Sequence, residues 1–598
     1  MLSASSPTST EPSASTPHGI SSAEGWAVLV FSMAASIVAI VWSWRHAAML
    51  NYGDAVAHLH IARRVFDSRT PRFTQLGSVW LPLPHILLIP FAQNYAWWAN
   101  GFAGVIPSAL AYLLSCIGLY RLARHWLTPA ASALALALFA LNPNLLYLQT
   151  TAMTEPLFLC EFIWVVLWMV EWRLRVDEDP QKAVRTQLFI AAALVAAIFT
   201  RYDGWIIALI AWSGIGLTLF PRAQRGERGR LTLSSFWLPS IAVVAAPVCW
   251  FVYNAIGFGD WLYFARGPYS AKAIELRTAV MSPGWPLHPG WHNPWVALLF
   301  YLKVAELDFT TAAWGNVVLA LAALGTAIAW FTQTSKSPRR AYGWLLLLWL
   351  PVPFYAWSVA YGSVPIFLPP WWPHNWYNTR YGLELLPALA LGLSFAAQRI
   401  VDALRRFSLA QVAPYSRKPS RHRQALSHLI FPALIALTVL NADALLRKRP
   451  LVYVESTKNL YARLPYDDAI PPFLHRLLAA DPHATVLMDT SVYPEIVAFT
   501  GIPLRQTINE SDLEIFRAAL AAPATHASVV VAFDGDDIDR AVKAHPQALD
   551  VVGRFQAHGQ PSATVYLSCQ WIDRGSATHS QLRDSKESNP TGCESSPM

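Results

Sequence analysis

The residues best suited to chemistry are concentrated in NYGDAVAHLHIARR, residues 51–64, just after the first long apolar run. If Asp54 opens a helix here, His58 lies one turn further along the same face. Asp54 could then deprotonate a hydroxyl while His58, Arg63 or Arg64 binds a phosphate. The structural alternative is that Asp54 only caps the helix and that the arginines only bind lipid headgroups.

Two polar turns at the ends of later apolar runs add further candidates. Glu155 lies in Thr-Glu-Pro at the end of the fourth run, on the predicted side of Asp54. Its structural alternative is a helix start with proline in the first turn and a carboxylate favoured by the helix dipole. Arg201 lies in the turn TRYDGW and is a candidate phosphate ligand. The alternative for Arg201 is an ion pair with Asp203 inside that turn.

Two loops further along the chain combine cations with aromatic rings. They read GDWLYFARGPYSAKAI (259–274) and PPWWPHNWYNTRYGLELLP (369–387). Because phosphates pair with cations and sugars stack on aromatic rings, these loops could hold a sugar phosphate. An aromatic belt at the membrane interface with a snorkelling arginine is the alternative. The candidate donor ligands in the two loops are Tyr263, Arg266, Lys272, His374 and Arg380.

The elements that must position these residues are long apolar runs. The hydrophobic fraction is 54% and the charged fraction 14%, which is too apolar for a soluble protein. The net charge of +8 does not indicate nucleic-acid binding, because the basic residues form short clusters between the runs. We therefore predict a polytopic α-helical membrane protein with about eleven spans. The predicted spans lie near residues 26–44, 100–120, 130–147, 155–172, 186–200, 204–220, 235–254, 312–332, 341–361, 381–398 and 427–446.

The basic clusters fall in alternate loops, which the positive-inside rule assigns to the cytoplasm. Arg45 after the first run and Glu24 before it favour the opposite insertion, but the summed loops outweigh them. We predict a multi-pass protein of the inner membrane with a cytoplasmic N-terminus. Its predicted divisions are a disordered tail (1–25), a membrane domain (26–446) with outer loops at 45–99, 255–311 and 362–380, a C-terminal domain (447–572) outside the cytoplasm and a disordered tail (573–598).

The predicted C-terminal domain alternates short strands and helices. Strands are predicted at 484–490, 528–535 and 563–568, with helices between them, which indicates a small α/β domain. The acidic run FDGDDIDR does not have the spacing of a calcium-binding loop. A strand followed by an aspartate-capped helix explains this run, and we predict no required metal and no cofactor.

An aspartate just after the first membrane helix, an interfacial helix and the motif G-x-V-W-L-P-L-P-H (77–85) together resemble the glycosyltransferase C superfamily. The likeness covers about residues 26–400 and is closest to the protein mannosyltransferase and aminoarabinose transferase branch. It implies a polyprenyl-phosphate sugar as donor, Asp54 as the catalytic base and Glu155 as an acidic residue facing the active-site cavity. Many relatives carry Asp-Glu where this chain has Asp54-Ala55, so no role is carried over for a second adjacent carboxylate.

Together these features predict an inverting hexosyl or pentosyl transferase at the outer face of the inner membrane. Its partners would be the polyprenyl-phosphate sugar, the bilayer and an acceptor that is a lipid, a protein or a glycan. A transporter or lipid flippase is the alternative from another class and would place charges at mid-membrane in two repeated halves. An inactive member of the same fold that serves as an assembly subunit is a further alternative, which Ala55 keeps open.

Overall fold

The computed structural model describes residues 20–572, apart from 225, 282–285, 333–340, 411–420, 480 and 482. Most of the N-terminal tail and the whole C-terminal tail, both predicted to be disordered, lie outside the described residues. The first helix begins at Ser22, four positions before the predicted span. The Ser21 side chain caps it by accepting a hydrogen bond from the Glu24 amide.

The chain is a multi-pass helical membrane protein. Nine helical segments of the described residues are long and apolar enough to cross a membrane, against the eleven or so predicted. They are Ser22–Arg45, Phe102–Ala123, Pro180–Thr200, Asp203–Ala223, Leu233–Phe258, Gly315–Thr332, Gly343–Tyr361, Thr379–Arg406 and Leu429–Leu478.

Two of the predicted spans are not among these nine segments. The run at 130–147 is not one helix but two, Pro129–Ala140 and Pro143–Leu148. The Asn142 side chain caps the second helix, and Pro143 opens it without an N–H of its own. The run at 155–172 forms the helix Glu155–Arg175, which is too rich in charged residues to count among the nine.

The remaining helices are shorter or lie in the loops and the C-terminal region. We call Gly53–Arg64 the loop helix and Leu451–Leu478 the tail helix. The last of the nine segments, Leu429–Leu478, comprises most of the apolar helix Arg421–Arg447 and the tail helix that follows it almost directly. Two α-helices, Pro351–Tyr361 and Leu386–Ala410, belong to the segments Gly343–Tyr361 and Thr379–Arg406 given above. The others are Leu83–Ala92, Tyr95–Ala99, Tyr263–Arg266, Ala271–Met281, Pro294–Phe309, Glu495–Thr500, Glu514–Ala521, Pro523–His526, Asp537–Ala544 and Cys569–Ile572.

A five-stranded sheet follows the tail helix. Its strands are β1 (Val486–Met488), β2 (Thr507–Ile508), β3 (Val529–Phe533), β4 (Leu549–Phe555) and β5 (Ala563–Ser568). Their order in the sheet is β2-β1-β3-β5-β4. Strands β2, β1 and β3 are parallel, and β5 and β4 are antiparallel to their neighbours. The three predicted strands are present as β1, β3 and β5. Strands β2 and β4 were not predicted, because β2 has only two residues and β4 is mostly half-buried, so neither has a clear hydrophobic pattern in the sequence.

The acidic run after β3 forms a capped helix start. The Asp536 carboxylate accepts a hydrogen bond from the Asp539 amide at the start of Asp537–Ala544. The interpretation as an aspartate-capped helix is therefore confirmed.

Two membrane helices cross in direct backbone contact. A Cβ atom on Gly392 would overlap the carbonyl group of Ala322, and one on Gly325 would overlap the carbonyl oxygen of Gly392. Small residues let helix backbones approach closely in a membrane, where van der Waals packing drives association. The glycines at this crossing therefore hold Gly315–Thr332 against Leu386–Ala410.

We predict that Gly392→Ala destabilises the protein by about 1–3 kcal/mol, because the added methyl group overpacks the crossing. Gly25→Ala is the matched control, since Gly25 lies in a helix with nothing within 4 Å of its Cβ position. Thermal unfolding in detergent should show a lower midpoint for Gly392→Ala only. Equal midpoints for the two variants would contradict this account of the crossing.

Candidate active site

Arg380 joins three carboxylates that are far apart in the sequence. Its Nη2 lies 2.7 Å from Asp54, its Nε 2.8 Å from Glu155 and its Nη1 3.1 Å from Glu455. The residue is only 5% exposed. A buried guanidinium keeps its charge and needs an acceptor for each N–H edge, and these carboxylates supply them.

Arg201 extends the cluster on the far side of Glu155. Its Nη1 lies 3.3 Å from Glu155, its Nε 3.1 Å from Asp203 and its Nη2 3.1 Å from Glu384. The ion pair inside the turn is therefore present, and Arg201 also joins Glu155 to the rest of the network. The structure brings Asp54, Glu155, Arg201 and Arg380 together in one cluster.

Aromatic rings hold both guanidinium groups in place. The Arg380 guanidinium lies 5.4 Å from the ring centre of Tyr52 and 5.0 Å from that of Tyr381. Arg201 lies 4.8 Å from the ring centre of Tyr381. Such contacts favour a cation over a ring face, so Tyr381 is shared between the two arginines.

A cavity of about 340 Å³ opens beside Arg380. Its polar and aromatic lining includes Asp54, Trp80, Tyr269, Tyr377, Arg380 and Tyr381. The Asp54 side chain is 42% exposed, whereas those of Glu155 and Glu455 are 1% exposed. Of the three carboxylates on Arg380, Asp54 is thus the one that a molecule in the cavity can reach.

The local structure explains how Arg380 and Asp54 are presented. Arg380 lies at the start of the 3-10 helix Thr379–Leu385, directly after Asn378 with its positive φ of 54°. Asp54 lies in the first turn of the loop helix, as the sequence predicted. Both residues therefore project from helix starts, where free N–H groups and the helix dipole favour negative charge.

The tail helix contributes Glu455, which the sequence analysis did not identify. Glu455 follows the predicted boundary at 447 and is separated from Arg380 by 75 positions. No spacing rule connects residues so far apart, and a glutamate near a helix start is common. The only available signal was an acidic residue in an otherwise apolar and aromatic stretch, LVYVE.

His58 has a different environment from the one predicted. Its Nδ1 lies 2.8 Å from Nε2 of His85, and its ring centre lies 4.4 Å from that of Trp80. Burial lowers the pKa of His58 to about 4 and that of His85 well below its usual range. Both rings are therefore neutral at neutral pH. His58 packs against Trp80, which lines the cavity, but does not line the cavity itself.

Arg63 and Arg64 do not line the cavity either, because both bind other groups of the protein. Arg63 pairs with Asp67 at 2.9 Å and donates to the Ala92 carbonyl at 2.9 Å. Arg64 donates to the Gln75 carbonyl and lies 3.8 Å from Glu510 in the C-terminal region. Their observed partners therefore anchor the first loop.

The predicted ligands in the outer loop 255–311, and His374 in the outer loop 362–380, are also absent from the cavity lining. Tyr263 stacks on Phe258, and the Arg266 side chain is 63% exposed beside Asp260. Lys272 and His374 are exposed. The outer loop 255–311 instead contributes Tyr269 and Glu275 to the lining. In the described part of the chain, no group of three or more His, Cys, Asp or Glu residues could hold a metal ion.

No protein-family model matches the sequence, and no curated protein matches it. Two crystal structures of ArnT from Cupriavidus metallidurans match the fold. The apo structure aligns with a TM-score of 0.51 at 15% identity, over 91% of this chain and 98% of ArnT. The structure bound to undecaprenyl phosphate aligns with a TM-score of 0.51 at 16% identity and the same coverage.

An oligosaccharyltransferase from Archaeoglobus fulgidus, AglB in complex with an inhibitory peptide and a dolichol-phosphate, aligns with a TM-score of 0.44. Its identity is 13%, over 92% of this chain and 74% of that protein. The similarity to ArnT extends over nearly the whole length of both chains. The protein therefore has the glycosyltransferase C fold that the sequence resemblance implied, with a small sheet region added at its C-terminal end.

Proposed function

We propose that this protein is a membrane glycosyltransferase that takes a sugar from a polyprenyl phosphate and passes it to an acceptor hydroxyl with inversion. The observation that carries the proposal is the Asp54–Arg380 pair at the cavity wall, an exposed carboxylate hydrogen-bonded to a buried guanidinium. A base and a phosphate ligand thus stand side by side. The undecaprenyl phosphate bound in the structure of ArnT, which shares the fold, supports a lipid phosphate as donor.

The reaction would be a single displacement. The acceptor oxygen attacks the anomeric carbon of the sugar, and the bond from that carbon to the phosphate oxygen breaks. Asp54 accepts the hydroxyl proton, and the polyprenyl phosphate leaves with the bonding electrons. Attack from the face opposite the phosphate inverts the anomeric configuration. Arg380 stabilises the negative charge that develops on the leaving phosphate.

Donor binding also prepares the base. In the structure, Nη2 of Arg380 is engaged by Asp54. A donor phosphate would compete with Asp54 for this nitrogen, because a phosphate is a strong acceptor for a guanidinium. Asp54 released from the ion pair is then free to accept the hydroxyl proton. The same arginine thus couples arrival of the donor to activation of the base.

The other predicted residues take supporting roles in this proposal. Glu155 is nearly inaccessible and bonds both Arg380 and Arg201, so we assign it to positioning the two arginines instead of to proton transfer. Arg201 supplies a second positive charge behind Arg380. We propose that Arg380, once its Nη2 is released by Asp54, binds the leaving monophosphate, and that no cofactor takes part.

The proposed setting follows from the charge pattern of the loops. The cavity and the C-terminal region would lie at the outer face of the inner membrane, with the N-terminus in the cytoplasm. The acceptor would be a lipid, a protein or a glycan with a free hydroxyl group. A flippase and an inactive relative serving as an assembly subunit are the alternatives, and the transfer assay below distinguishes them from a transferase.

We predict that Asp54→Asn lowers kcat for sugar transfer by about 10²–10⁴-fold, the usual contribution of a general base. The measurement is transfer of radiolabelled sugar from polyprenyl-phosphate donors in proteoliposomes. Asp260→Asn is the matched control, because Asp260 is an aspartate of the second loop that does not line the cavity. Its transfer rate should equal that of the parent.

Full activity of Asp54→Asn would exclude Asp54 as the base. If the parent itself transferred no sugar but moved labelled lipid across the bilayer, the flippase would replace the transferase. Inactivity in both assays would favour the assembly subunit.

We further predict that Arg380→Lys weakens binding of undecaprenyl phosphate by about tenfold or more, equivalent to about 1.4 kcal/mol. A lysine has one ammonium group and cannot present three nitrogens in a plane to separate acceptors. Equilibrium binding of radiolabelled undecaprenyl phosphate to the purified variant tests this. Arg266→Lys, a change at an exposed arginine outside the cavity lining, serves as control. Equal affinities of all three proteins would remove Arg380 from the donor site.

A further inference from the structure

We infer that Glu455 of the tail helix is a positioning residue that orients Arg380 toward the donor phosphate, so that the C-terminal region completes the active site. The inference rests on the proposed function. It concerns a residue that does not line the cavity and that is contributed by a part of the chain following the last apolar helix.

The Glu455 carboxylate is surrounded by hydrogen-bond donors. It accepts from the Asn378 amide at 3.0 Å, from the Thr379 amide at 2.7 Å and from Nη1 of Arg380 at 3.1 Å. The Thr379 hydroxyl donates to it as well. The side chain is 1% exposed, so water does not compete for these contacts. Four donors around two oxygens require a carboxylate, because an amide would turn its own NH₂ group toward some of them.

These contacts cap the 3-10 helix Thr379–Leu385 from outside. Glu455 takes the place that a side chain at the N-cap position would have, since it binds the first free N–H groups. Asn378 itself has no capping hydrogen bond and holds a positive φ of 54°. The backbone that carries Arg380 is therefore kept in its conformation by the tail helix.

The same carboxylate also fixes the plane of the guanidinium. With Nε bonded to Glu155 and Nη1 bonded to Glu455, two points of a rigid planar group are held. The remaining edge, Nη2, then faces Asp54 and the cavity. Without Glu455, rotation about the bonds of the arginine side chain would carry Nη2 away from the position where the donor phosphate must bind.

The tail helix holds the Asp54 side of the cluster as well. The Tyr52 hydroxyl donates to the Val452 carbonyl at 2.9 Å. Arg463, two turns further along the helix from Glu455, donates to the backbone carbonyl groups of Leu50 and Asn51. These residues directly precede the loop helix. One helix thus sets the distance between the proposed base and the proposed phosphate ligand.

The test is a double-mutant cycle between Glu455→Gln and Arg380→Lys. The readouts are the Kd of undecaprenyl phosphate, and KM and kcat for transfer from the polyprenyl-phosphate donor. We expect Glu455→Gln to raise Kd and the donor KM by tenfold or more. In the Arg380→Lys background the same change should alter Kd by less than twofold, because a residue that acts through Arg380 has no further effect once Arg380 is replaced.

Two further variants separate positioning from a general structural role. Glu455→Asp keeps the charge and should restore part of the affinity. Asp468→Asn removes an exposed carboxylate from the same helix and should behave like the parent. A merely structural role would lower the amount of folded protein and kcat while leaving Kd and KM unchanged. Thermal unfolding of every variant measures the folded fraction.

The outcomes are distinct. Parental Kd and KM in Glu455→Gln, or equal effects of Glu455→Gln in the two backgrounds, would overturn the inference and leave the proposed function intact. If neither Glu455→Gln nor Glu455→Asp folds, Glu455 serves the fold and the inference fails. A parent that neither binds undecaprenyl phosphate nor transfers sugar would overturn the proposed function, and the inference with it.

Discussion

A guanidinium group cannot lose its proton at any ordinary pH, so an arginine that is buried must be surrounded by acceptors. Arg380 meets this constraint with carboxylates from the loop helix, from the start of Glu155–Arg175 and from the tail helix. These three segments meet at Arg380, where each supplies one acceptor to the same ion. Removing any one of them would leave part of a buried charge unpaired, which is costly in a medium of low polarity.

Arg201 is also surrounded by acceptors. Glu155 is shared between the two arginines, and Tyr355 accepts from Arg201 while donating to Glu384. The buried part of the network, around Arg201 and Glu155, is thereby separated from its accessible edge at Asp54. Such a division suits a site in which one group must change partners during a reaction while the rest stays in place.

Local patterns in the sequence were sufficient to predict much of the fold and part of the site. Asp54, Glu155, Arg201 and Arg380 were all found because each stands at the end of an apolar run, where charges are unusual. Arg63 and Arg64 also follow an apolar run, but their partners are Asp67 and Gln75 in the first outer loop. Spacing in the sequence does not show whether an arginine binds a ligand or another part of the protein. The break at Asn142 was missed because the apolar run continues on both sides of it. Glu455 was missed because only the tertiary fold connects it to Arg380.

The tail helix has a consequence for how the protein is made. A ribosome synthesises the chain from its N-terminus, so the loop helix, Glu155 and Arg380 are all complete before Glu455 emerges. Until then Arg380 lacks one of its acceptors, and the backbone at Asn378 and Thr379 lacks its cap. A nascent or prematurely terminated chain would therefore hold the membrane helices without an ordered site. Because the last acceptor follows the last apolar helix, the site can be completed only after every apolar helix of the described chain has been synthesised.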